Sequence, residues 1–167
     1  MAKGSVRPPQ GARQDKRGFM TVPTAQGVVR VHALHGKHER RANVETATYL
    51  AEKYGYEIDL LPDLDNRKSP DAYNRTLGKV QEYKSVLKPT NNAVQLQIRS
   101  AAKQANSIVL TLKETAPLDV LSYALNDRVK RCENITDVTI MMDGKDATFV
   151  REKMIADGFM IKGDDFK

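Results

Sequence analysis

The sequence predicts an α+β fold: a single compact domain with a central, mostly antiparallel sheet flanked by helices, preceded by a flexible basic arm. Apolar residues recur at helical spacing in well-separated stretches, short β-rich runs lie between them, and the opening of the chain has little to bury. The 167 residues are enough for one hydrophobic core and few for two. With 40% hydrophobic and 29% charged residues, the composition is that of a globular protein. Residues 1–17 are assigned to the arm and residues 18–167 to one domain.

The first seventeen residues are rich in Gly, Pro, Gln and charge. Phe19 to Val22 and Gly27 to His35 then read as extended, split by the turn from Pro23 to Gln26; alternation puts Arg30, His32 and Leu34 on one face and Val29, Val31, Ala33 and His35 on the other. A helix is expected from Asn43, as N-cap, to Tyr54. Its apolar stripe is Ala47, Leu50, Ala51 and Tyr54, and Gly55 stands where a terminating glycine belongs. A strand from Tyr56 to Leu61 stops at Pro62. Asp71 to Asn74 and Gly78 to Val86 are close enough to form a hairpin. A second helix spans Asn92 to Ala105 with Val94, Ile98, Ala101, Ala102 and Ala105 inward. Ser107 to Leu112 reads as a buried strand. Pro117 to Arg131 is a helix with proline at its start and cations at its end. Thr136 to Met142 is a strand, and Ala147 to Asp157 a final helix.

Charge narrows the function. Met1 to Arg41 carry nine Lys or Arg against Asp15 and Glu39, a net +7, whereas the whole chain is +6 and the remainder therefore −1. An excess confined to one end suits a polyanion, RNA above all. The arm has no amphipathic helical pattern, no run reaches the length of a membrane span, and no signal-peptide pattern opens the chain, so no membrane partner is expected. The lone Cys132 cannot close an internal disulfide, which suits a reducing compartment. Zinc-ligand spacings and phosphate-cradling glycine loops are missing.

The most unusual segment is Gly78 to Ser85. As a strand it puts Val80, Glu82, Lys84 and Val86 on one face, and charges on an apolar face are costly unless paired or used. Upstream lies Pro70-Asp71; proline-aspartate followed by Glu82-x-Lys84 is the skeleton of the PD-(D/E)XK nucleases, in which Asp and Glu hold a divalent metal and Lys helps activate water. His35, Lys37, His38, Arg40 and Arg41 precede the first helix, whose amides favour a phosphate nearby; His38 could do acid–base work and Lys37 and Arg41 hold the backbone. Gln95, Arg99 and Lys103 fall on one helix face, opposite the alanines, where they could bind phosphates.

A wider pattern runs through these segments. It comprises Asn43, Glu45, Thr46, Ala47, Leu50, Ala51, Tyr54, Gly55 and Tyr56; then Leu61-Pro62, Ser69-Pro70-Asp71-Ala72 and Gly78; and finally Gln81-Glu82-Tyr83-Lys84-Ser85 and Ala101-Ala102-Lys103-Gln104-Ala105. This pattern resembles the C-terminal tRNA-nuclease domain of contact-dependent inhibition proteins (CdiA type) and its relatives in phages and mobile elements, within the barnase, EndoU, colicin E-type and RelE-like ribonucleases. The likeness covers His35 to Leu112.

It implies a small toxin-type endoribonuclease that cleaves tRNA or other structured RNA by metal-independent attack of the 2′-hydroxyl, with no cofactor. It also implies action in the cytoplasm after delivery by a larger toxin, a phage or a mobile element, and a cognate immunity protein as partner. Carried onto this chain it points to Glu45, Asp71, Glu82, Lys84 and Gln104. Two alternatives stand beside it: a Mg²⁺-dependent PD-(D/E)XK nuclease holding metal with Asp71 and Glu82, and a non-catalytic nucleic-acid-binding or phage cargo protein.

Overall fold

A computed structural model describes residues 13–14, 18–64 and 69–167. Apart from Arg13–Gln14, the basic arm expected at residues 1–17 lies outside the described residues. The fold is α+β, with antiparallel strand pairings outnumbering parallel ones. The chain packs as two compact units, Met1–Gln81 and Glu82–Lys167. No helix among the described residues is long and apolar enough to cross a membrane.

The first unit holds β1 (Arg13–Gln14), β2 (Phe19–Val22), β3 (Val28–His32), α1 (Arg40–Tyr54), β4 (Glu57–Leu60), β5 (Ala72–Asn74) and the opening of β6 (Lys79–Val86). Strands β1, β2 and β3 pair antiparallel in turn. β3 and β4 are parallel, as strands joined by a crossover helix must be, and β4, β5 and β6 return to antiparallel pairing. Period-2 alternation then sorts the side chains. Val29, Val31, Ile58 and Leu60 are buried on the face against which α1 packs, together with Ala47, Leu50 and Ala51 of that helix. Gly27, entering β3, has φ +66°, and a Cβ there would lie 2.5 Å from Tyr56 O and 2.6 Å from Ala51 O. Only glycine fits at that approach.

Helix α1 begins at Arg40 rather than at the expected Asn43, and its N-cap, Glu39, makes no side-chain capping bond. The reason is tertiary. Arg40 NH2 donates to the carbonyls of His32 (3.1 Å), Ala33 (3.2 Å) and His35 (3.1 Å), so the preceding loop is tied to the first turn by a guanidinium instead of by a local cap. The other end follows expectation: Gly55 is left-handed at φ 72° and its N–H donates to Ala51 O at 2.7 Å.

The second unit holds the rest of β6, then α2 (Asn91–Ala102), β7 (Ser107–Leu112), α3 (Leu118–Arg131), β8 (Asp137–Met142), β9 (Lys145–Val150) and α4 (Arg151–Met154). β7 and β8 are parallel with α3 as their connection, and β8 and β9 form an antiparallel hairpin. The core joins Val94 and Ile98 of α2, Leu121, Leu125 and Val129 of α3, and Ile108, Leu110, Val138, Ile140 and Phe149 of the strands. Thr90 caps α2, its Oγ1 accepting from Ala93 N at 3.2 Å.

The expected helix from Ala147 to Asp157 is wrong. Asp143 (φ 54°) and Gly144 (φ 73°) form the tight turn of the β8–β9 hairpin, and the helix is reduced to the single turn of α4. Within β9, Asp146, Ala147 and Phe149 are buried while Lys145, Thr148 and Val150 are exposed. Lys167 exchanges two backbone hydrogen bonds with Asp146 (3.1 and 3.0 Å), closing the outer edge of β9 there.

Candidate functional site

The candidate residues are distributed over both units. In the first, Lys37, His38, Arg41 and Glu45 are all exposed around the start of α1. Arg41 Nε lies 3.4 Å from Glu45 Oε1, one helical turn on, and both side chains are largely in water. An exposed pair of this kind adds little stability and leaves both groups open to a partner. Asp71 is buried immediately before β5, and its carbonyl accepts from Leu61 N at 2.9 Å.

The two histidines flanking Gly36 and Lys37 separate sharply. His38 is exposed, whereas His35 is 3% exposed and uses both ring nitrogens. Nδ1 lies 2.6 Å from the Leu61 carbonyl, which can only accept, so Nδ1 carries the proton. Nε2 then accepts from Asn43 Nδ2 at 3.0 Å. Burial holds the imidazole below its ordinary proton affinity; the Leu61 carbonyl and the Asp71 carboxylate oppose that shift, Arg40 reinforces it, and Glu39 opposes it. A neutral imidazole with both nitrogens bonded is a structural element of the loop.

In the second unit, Glu82 and Lys84 sit two residues apart on β6, with Lys84 Nζ 3.6 Å from Glu82 Oε2. The Glu82 side chain is 7% exposed and that of Lys84 23% exposed, so the carboxylate is nearly out of water and the ammonium opens to it. The expectation of two flanking valines needs correction at one end: Val86 is buried, but Val80 is exposed. Arg99 and Lys103 are exposed on and just beyond α2, and Gln104 follows, half-buried. Gln95, expected on the same wet face, is instead buried: its Nε2 donates to Asn91 Oδ1 (2.9 Å), and its Oε1 accepts from Arg131 NH2 (2.9 Å). Packing of α3 against α2 brings that guanidinium over the helix face.

Sequence reasoning missed a charged centre in the first unit. Asp59, on β4, is 2% exposed and accepts from Arg30 Nε at 2.8 Å and from Arg75 Nε at 2.6 Å. Arg30 also lies 3.5 Å from Glu57, and Arg75 lies over the Tyr73 ring at 5.6 Å. The signal was an aspartate inside the run Glu57–Leu60, a charge at a strand position that needs a partner. Among the described residues, no three His, Cys, Asp or Glu side chains gather as a group that could hold a metal ion.

No protein-family model matches the chain, and no curated protein matches it. Among solved structures, the chain is similar to one in the CdiA-CT/CdiI toxin and immunity complex from Burkholderia pseudomallei, at 20% identity and a TM-score of 0.49, covering 70% of this chain and 90% of that one.

Proposed function

We propose that the chain is a toxin-type endoribonuclease acting on tRNA or another structured RNA without a metal, with a cognate immunity protein as its partner in the cell that makes it. The observation that carries this reading is the Glu82–Lys84 pair: a carboxylate almost removed from water, beside an ammonium that solvent can reach. Desolvating such a pair is costly, and a strand has no need of it for folding. The motif residues shared with the CdiA-type tRNA nucleases support the same reading.

In the proposed reaction a base, Glu82 or His38, takes the proton of a ribose 2′-hydroxyl, and that oxygen attacks the adjacent phosphorus. The P–O5′ bond breaks, a second acid protonates the leaving 5′-oxygen, and a 2′,3′-cyclic phosphate and a 5′-hydroxyl remain. Lys84 and Arg99 are assigned to the negative charge that builds on the phosphorane, where fixed cations matter most. Asp71 and Glu45 are assigned supporting catalytic roles, and Lys37, Arg41, Lys103 and Gln104 are assigned to binding the RNA backbone. Dependence on the 2′-hydroxyl makes DNA inert.

Incubation of the pure protein with total tRNA and with plasmid DNA, each with and without EDTA, tests the reading. The expected result is RNA cleaved in both conditions and DNA spared. Loss of cleavage in EDTA with rescue by Mg²⁺ would transfer the assignment to the PD-(D/E)XK chemistry. Folded protein that cuts neither substrate would leave a nucleic-acid-binding role.

A further inference from the structure

We infer that the face of the first unit's sheet turned away from α1 is a binding platform for single-stranded RNA, with Tyr73 and Phe19 as stacking surfaces and Arg30 and Arg75 as phosphate ligands. The inference rests on the ribonuclease reading for its choice of nucleic acid, and on strand register for the platform itself.

Residues paired across neighbouring strands point to the same side of a sheet. Thr21 is opposite Arg30, Arg30 opposite Asp59, Asp59 opposite Tyr73, and Tyr73 opposite Val80. Phe19 is opposite His32 in the same alternation. These residues form one continuous row of side chains. The alternate row, through Val29, Val31, Ile58 and Leu60, is the one that α1 buries. The platform row is not buried to the same degree: Phe19, Thr21, Arg30, His32 and Tyr73 are partly exposed, and Val80 and Arg75 are exposed.

The chemistry of the row suits bases and phosphates together. The Phe19 and His32 rings meet edge to face at 4.9 Å and 84°, which fixes the orientation of the Phe19 ring. Tyr73 carries the Arg75 guanidinium over its ring at 5.6 Å, and the exposed Val80 lies beside it. Asp59 takes one Nε–H from each arginine, which fixes both guanidinium planes; NH2 of Arg30 also lies 3.5 Å from Glu57 Oε2, and the Arg75 side chain is the more exposed of the two. Fixed guanidiniums beside aromatic faces are the arrangement that holds successive nucleotides of an unpaired strand, since every base offers a face to stack on. Met1–Gln81 hold 14 Lys and Arg against 9 Asp and Glu, a net +5, of which residues 1–17 hold +4, so the platform itself contributes cations at Arg30 and Arg75 rather than an excess of charge.

The test is a binding measurement that does not depend on cleavage. The full chain is titrated against a fluorescently labelled, 2′-O-methylated single-stranded RNA, which offers no 2′-hydroxyl nucleophile, at several salt concentrations. Tyr73→Leu is expected to raise Kd roughly tenfold or more through loss of stacking. Arg75→Gln is expected to reduce the slope of log K against log salt by about 0.7. If Arg75→Gln fails to fold because Asp59 loses a partner, Tyr73→Leu, which leaves both arginine bonds to Asp59 in place, decides alone. Unchanged affinity in folded Tyr73→Leu, or in both variants, overturns the platform. The two readings fail separately: wild type that binds this RNA through Tyr73 but cuts no tRNA loses the ribonuclease assignment and keeps the platform. Wild type that cuts tRNA while the variants bind normally does the reverse.

Discussion

Lys84 is where a catalytic and a structural role make opposite demands. As a catalytic ammonium it is replaceable in folding provided that Glu82 takes another partner or a proton: Lys84→Met should then abolish RNA cleavage and leave the melting temperature near that of wild type. As half of a purely structural ion pair, it is not; stranding Glu82 would cost on the order of 3 kcal/mol. Melting and cleavage measured on one preparation separate the two, and an early-melting variant that still cuts at the wild-type rate when cold removes Lys84 from the mechanism. His35 gives a second prediction, in pH. Its folded-state proton affinity is lowered by burial, so the unfolded chain takes up the proton first as pH drops below the ordinary value of 6.5. Stability is therefore fullest above that value and declines as pH falls from it toward the lower folded-state value. Urea unfolding at about pH 7 and about pH 5 should show that decline in wild type and a weaker one in His35→Gln; parallel declines would mean that other groups govern the acid limb. The sequence placed Glu82 and Lys84 together because period 2 is a local property of one strand. It could not tell His35 from His38, since what separates them is a carbonyl at Leu61 and an amide at Asn43.

At the level of elements, packing at close quarters makes the sharpest demand at Gly27. Gly27→Ala would drive a methyl into two carbonyl oxygens and hold the residue in the left-handed region, so a loss on the order of 3 kcal/mol is expected, read as a large fall in melting temperature. A variant that melts like wild type would mean that α1 and the entry to β3 can draw apart freely. Gly55→Ala, with open space around the added carbon, should cost only about 1 kcal/mol from the backbone alone. The elements legible in the sequence were those with an unbroken local pattern. Ser107–Leu112 matches residue for residue because a run of apolar, β-favouring residues has no competing reading at that length. The error at the C-terminal end has an equally local cause. Asp143-Gly144 is a short-range hairpin signal, and the strand β9 rather than a helix follows it. The early start of α1 was invisible because the Arg40 bonds that fix it reach to residues outside the helix.

For the molecule as a whole, the charge is uneven: Glu82–Lys167 hold 13 Lys and Arg against 12 Asp and Glu, so nearly all of the net +6 belongs to Met1–Gln81. Deleting residues 1–12, which include Lys3 and Arg7, should lower the salt dependence of RNA binding by about 0.7 log units for each phosphate that those cations neutralise, and leave β1 and its register intact. An identical salt plot after truncation would show that this segment meets no phosphate. The strand order has a kinetic meaning. Hydrogen-bonded neighbours in each unit are consecutive in sequence, so no pairing waits for a distant part of the chain. Each antiparallel pair closes over a shorter connection than either crossover, and the slow closures are the two parallel ones, β3 with β4 across α1 and β7 with β8 across α3. A chain threaded end-first into a new compartment would meet its partners in the order in which they emerge, and could regain structure progressively while the remainder was still in transit.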